Sequence, residues 1–80
     1  MAVETEEYLS MLRRMIRAGG RRVAQADEPE LAALMSLRAE LDDAIVTAVT
    51  GQRAELERSW AWVGSALGIT RQAAQQRYGK

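Results

Sequence analysis

Five long polar side chains crowd into seven consecutive positions of this 80-residue chain: Arg71, Gln72, Gln75, Gln76 and Arg77. On a helix, residues three and four apart share a side, so Arg71 with Gln75 and Gln72 with Gln75 and Gln76 form one outward face. A glutamine amide donates and accepts at once and pairs bidentately with adenine; a guanidinium forks onto guanine or a phosphate. Gln72 and Gln75 are the first candidates for such contacts, then Arg71 and Gln76, with Arg77 more suited to phosphate. Thr70, directly before them, belongs to the same set. From Ser59 onward there is no acidic residue, so nothing on this stretch repels a phosphate backbone.

Other chemistries are poorly supplied. The chain has no cysteine and no histidine, which excludes disulfides, thiolate zinc sites, cysteine nucleophiles and Ser-His relays. Glu40, Asp42 and Asp43 are the best carboxylate group, but neighbouring helical positions point in different directions and build no cage, so no metal and no cofactor is assigned. An enzyme reading fails for want of an acid-base group poised near neutrality. Net charge is zero, yet unevenly laid out: residues 1–50 carry six basic and nine acidic residues, and residues 51–80 carry five basic and two acidic. The excess of positive charge falls where the polar face lies.

That face must be held by what precedes it. Gly68 stands where a first short helix has to end in a left-handed turn, and Thr70 can cap a second helix through its hydroxyl. Val63, Leu67 and Ile69 are expected to wedge between the two helices, with Gly64 and Ala74 small where their backbones approach. Ser59 opens the first helix, but Trp62 stands where a capping box would have glutamate. Trp60 is expected under this unit, against the preceding helix. Trp62 either packs on that helix or stays in an exposed apolar patch.

The run Trp60-x-x-Val63-Gly64-x-x-Leu67-Gly68-Ile69-Thr70-Arg71-Gln72-x-Ala74-x-x-Arg77 resembles the DNA-binding helix-turn-helix of sigma-factor region 4 and resolvase-type domains. It is most similar to small actinobacterial helix-turn-helix proteins ending in a comparable Thr-Arg-Gln-Ala-Ala segment. The likeness covers residues 59–79; upstream it rests only on Leu37-Arg38-Ala39-Glu40-Leu41-Asp42 and Ala44-Ile45. It implies sequence-specific binding of double-stranded DNA by the second helix.

The remaining residues read as scaffold. Tyr8, Leu12, Met15 and Ile16 recur at helical spacing and predict a helix over 5–18, with a bend at Gly19-Gly20 before Arg21 to Ala26. Asp27-Glu28-Pro29-Glu30 is a strong helix start, and a long helix follows on Leu31, Leu34, Leu37, Leu41, Ala44 and Ala48, widened by Met35, Ile45 and Val49. Gly51 either bends or ends it, or helix continues from Gln52 to Arg58. The basic run Arg13, Arg14, Arg17, Arg21 and Arg22 reads as the solvated side of an amphipathic helix, with flanking phosphate as the functional alternative. No alternating segment supports a strand, hence no wing.

The expectation is therefore a single all-α domain over residues 1–80, with a helical dimerisation scaffold at 1–58 and a helix-turn-helix at 59–80. Small size favours a homodimer whose twin motifs read a palindrome with half-sites about 34–36 Å apart. Transcriptional regulation follows, repression before activation, because occupancy alone blocks polymerase. The acidic start and the lack of a long apolar run predict a cytoplasmic protein without membrane attachment. The competing reading is a protein-interaction module that binds transcription machinery or a phage or toxin factor, supported by Trp62, the neutral charge and the broad apolar stripe.

Overall fold

The computed structural model describes residues 2–79, and the chain is all-α: α1 (Ala2–Val23), α2 (Glu28–Glu55), α3 (Trp60–Leu67) and α4 (Arg71–Tyr78), with no strand among the described residues. Its residues divide into two compact units, Met1–Arg38 and Ala39–Lys80, so that α2 contributes to both.

In the first unit, α1 runs unbroken through Gly19 and Gly20, correcting the expected bend. Each interior glycine costs a helix about 1 kcal/mol relative to alanine, which weakens the helix without breaking it. A side chain at Gly19 would begin 3.9 Å from the Leu34 δ1 carbon, so this position faces α2. The helix instead ends at Val23. The Ala24 amide still donates to the Gly20 carbonyl at 3.0 Å, but Gln25 and Ala26 donate three residues back, to Arg22 at 3.2 Å and Val23 at 3.0 Å. Such tightening is the usual way a last turn satisfies its carbonyls.

The start of α2 follows the sequence closely. The Asp27 amide donates to Glu30 Oε1 at 3.0 Å, the returning half of a capping box, and the Glu30 and Leu31 amides both donate to the Asp27 carbonyl at 3.2 Å. Pro29, which has no amide hydrogen, sits in the first turn where none is needed. None of the described hydrophobic side chains in this unit is buried; Tyr8, Met15, Ile16, Leu31 and Met35 are between 58% and 61% exposed.

The second unit closes a core. Val49 of α2, Val63 of α3 and Ala74 of α4 are buried, with Ile45, Trp60, Ile69 and Tyr78 packed around them. The backbones of α3 and α4 come closest, and the small buried Val63 and Ala74 between them fix their mutual angle more tightly than larger, softer residues would, with Val49 of α2 reaching the same core by its side chain. Of the alternatives at Gly51, α2 passes through it and ends at Glu55. The reversal uses Glu57 in the left-handed region (φ 54°), while the Arg58 amide donates to the Gln52 carbonyl at 3.1 Å. Among the described residues, no helix is long and apolar enough to cross a membrane.

Candidate nucleic-acid interface

The interface begins with how α3 and α4 are capped. Ser59 is extended (φ −75°, ψ 162°), and its Oγ accepts from the Trp62 amide at 3.0 Å, which leaves the cap without the glutamate half of a box. At the other end Gly68 adopts φ 72°, ψ 28°, a conformation that costs glycine little. Its amide donates to Ser65 at 3.3 Å, and the Ile69 amide donates to Gly64 at 2.9 Å. Thr70 then returns to extended backbone (φ −73°, ψ 159°), and its Oγ1 accepts from the Ala73 amide at 3.0 Å. The connection between the helices is therefore Gly68, Ile69 and Thr70 alone.

Gly64 is small for a reason other than the expected approach to Ala74. A Cβ there would stand 2.8 Å from the Ile69 carbonyl oxygen and 3.0 Å from that of Thr70, so the backbone of the turn itself lies against the glycine. Ala74 is fully buried and Val63 nearly so, which makes Val63 the wedge. Ile69 is half-buried, whereas Leu67 is 37% exposed and looks onto a shallow apolar groove rather than filling the space between helices.

With Ala74 inward and Ala73 and Tyr78 half-buried, the rest of α4 is turned outward. Thr70, Arg71, Gln72, Gln75, Gln76 and Arg77 are all exposed. At 3.6 residues per turn, Arg71, Gln72, Gln75 and Gln76 fall within an arc of about 140°, while Arg77 lies on the opposite side of the helix, about 170° from the middle of that arc. Their side chains make no hydrogen bond to the chain among the described residues, so their donors and acceptors stay open to an incoming group. Lys80, which continues this positive end of the sequence, lies outside the described residues.

Two further arginines behave differently, and sequence reading missed them. The Arg53 guanidinium lies 4.3 Å from the centre of the Trp60 ring and donates to the Arg58 carbonyl at 2.9 Å. Arg58 lies 4.6 Å from the centre of the Trp62 ring. Contacts of this kind contribute about 0.5–1 kcal/mol at exposed sites, and here they pin the α2–α3 connection to the start of α3. The signal was the pairing of two arginines with two tryptophans across a short linker. Trp60 is half-buried against the core, as expected. Trp62 is 40% exposed and edges the apolar groove with Leu67, Ala66 and Ala48.

Arg13, Arg14, Arg17, Arg21 and Arg22 are exposed, and all lie in the first unit. Glu40, Asp42 and Asp43 are exposed as well, and among the described residues no group of three carboxylates, histidines or cysteines converges as a metal site. No protein-family model, curated protein or solved structure matches this chain.

Proposed function

We propose that residues 39–80 bind double-stranded DNA sequence-specifically as a helix-turn-helix, with α4 in the major groove, and that the protein acts as a homodimeric transcriptional regulator. One observation carries the reading: an acid-free helix whose Arg71, Gln72, Gln75 and Gln76 form an open outward arc, on a helix fixed from behind by buried Ala74 and a capped three-residue turn. Glutamine to adenine and arginine to guanine are the pairings that read bases in that groove, each worth roughly 1–3 kcal/mol of discrimination. Arg77, exposed but turned away from the arc, can read no base with it and is left for a phosphate, which positions the helix without reading sequence.

Rigidity matters as much as chemistry. A base-reading side chain discriminates only if its backbone is held, and here the two caps, Gly64 against the turn and the small buried Ala74 hold α4 at close range. One such module covers only about 600–1,000 Å² of protein surface on DNA, which favours two copies acting together on a palindrome. Repression is the simpler outcome, since an occupied site excludes polymerase without further contacts.

The test is a double substitution. Arg71→Ala with Gln72→Ala is expected to abolish binding to a selected duplex at moderate salt while leaving the helical circular-dichroism signal intact. Wild-type binding itself should weaken steeply as salt rises, because phosphate contacts release counterions. Undiminished binding by the double variant would overturn the assignment of α4.

A further inference from the structure

The arginines of α1 are placed more regularly than the solvated side of a helix requires. Five of them fall within residues 13–22, and no acidic residue occurs between Glu7 and Asp27. At 3.6 residues per turn, Arg13, Arg14, Arg17 and Arg21 lie within an arc of about 100°, and Arg22 lies outside it. The middle of that arc is about 170° from the middle of the apolar stripe formed by Tyr8, Leu9, Met11, Leu12, Met15 and Ile16. Arg13, Arg17 and Arg21 follow one another at i, i+4 and make a row that rises about 6 Å per step along the axis.

Nothing within the chain accounts for this row. All four arginines are exposed, and none makes a hydrogen bond or ion pair among the described residues. Like charges three or four residues apart repel, so Arg13 with Arg17, Arg14 with Arg17 and Arg17 with Arg21 weaken the helix that carries them. The helix dipole favours cations in the last turn, which explains Arg21 and Arg22 but not the three before them. Glu6 and Glu7 share this side of the helix but stand about 9 Å or more ahead of Arg13, so they confine the positive surface to the second half of α1.

The geometry of the row selects its ligand. Guanidinium groups repeating along a line, each able to fork onto two oxygens, suit an anion that also repeats along a line, as the phosphates of a nucleic-acid backbone do. A membrane surface suits them less: a helix lying there buries its apolar face, and Arg17 and Arg21, about 160° from the middle of that face, would point to water rather than to headgroups. We infer that Arg13, Arg14, Arg17 and Arg21 form a second DNA contact, which holds the duplex by its phosphates without reading sequence. This rests on duplex DNA being the target, as proposed above, but not on α4 reading bases. The two contacts sit in separate units and do different work: phosphate contacts raise affinity for every duplex, base contacts only for the right one.

Salt titration of the full chain on a labelled duplex of random sequence supplies the test. Each phosphate neutralised contributes about −0.9 to the slope of log affinity against log salt, so Arg13→Gln, Arg14→Gln, Arg17→Gln and Arg21→Gln together should make the slope shallower by about 3.6. Affinity at low salt should fall at least about tenfold, and by the same factor for a selected duplex as for the random one. Arg71→Ala with Gln72→Ala should instead remove the preference between the two duplexes, so failure of α4 and failure of α1 are read separately. Lysine at the same four positions should keep the wild-type slope, which shows that charge rather than folding is measured. Adding Glu40→Gln, Asp42→Asn and Asp43→Asn to the glutamine chain should not restore the slope, because charge removed elsewhere touches no phosphate. A glutamine chain with the wild-type slope, a lysine chain as shallow as the glutamine chain, or recovery through the distant carboxylates would each overturn the proposal. So would a wild-type chain that sediments with phosphatidylserine vesicles and retains no duplex.

Discussion

Residues 39–80 close three helices around Val49, Val63 and Ala74, whereas the described part of residues 1–38 offers two long amphipathic stretches and buries no hydrophobic side chain. The difference lies in residue size and spacing. The second unit uses alanine, glycine and valine where backbones meet, so that little volume needs to be filled and a small core suffices. The first uses methionine, leucine, isoleucine and tyrosine on faces too wide for what lies beside them. One region closes a core within the chain; the other leaves its apolar faces open. On the reading proposed above, this division suits a protein that holds α4 rigidly in one unit and leaves the apolar faces of the other for contact.

The contrast is broken most severely at Gly64. Gly64→Val drives carbons into the Ile69 and Thr70 carbonyls, which cannot retreat without opening the turn, and should cost about 3 kcal/mol in urea denaturation. Valine removal tests the same core more gently. Val63→Ala should cost about 2 kcal/mol, while Met15→Ala in the first unit should stay within about 0.5 kcal/mol when measured at concentrations where the chain is monomeric. Equal costs at both positions would mean that α1 is buried within its own chain. Next comes the cap: Thr70→Ala leaves the Ala73 amide without its acceptor and should cost about 1 kcal/mol, together with a loss of DNA affinity through looser seating of α4. The last effect has the opposite sign. Gly20→Ala meets no atom within 4 Å and should stabilise α1 by about 0.5–1 kcal/mol, seen as a higher thermal midpoint.

How far the sequence foretold this structure depended on the range of the interactions involved. Caps are local, so Ser59, Gly68, Thr70 and the Asp27 start were legible from a few neighbouring residues and hold as expected. The outward arc of α4 was legible too, because periodicity alone decides which side Ala74 takes. Gly19 and Gly20 misled because a pair of glycines marks a possible break, while what decides the outcome is a helix of 22 residues able to absorb the penalty. The end of α2 was hidden for the converse reason: Glu57 takes a left-handed conformation with no glycine to announce it. Contacts that join distant positions were the least visible. The turn backbone against Gly64, Leu67 facing the groove, and the guanidinium of Arg53 over Trp60 depend on how helices meet rather than on their order.

The central claim is that α4 reads DNA from a symmetric dimer, and selection from random duplex DNA combined with mass measurement of the retained complex addresses it most directly. The account predicts enrichment of a palindrome with half-sites roughly 34–36 Å apart, two chains per duplex, and loss of that enrichment in the Arg71→Ala, Gln72→Ala chain. A chain that retains no duplex even at low salt would contradict it and favour a protein, rather than DNA, as the target of this face.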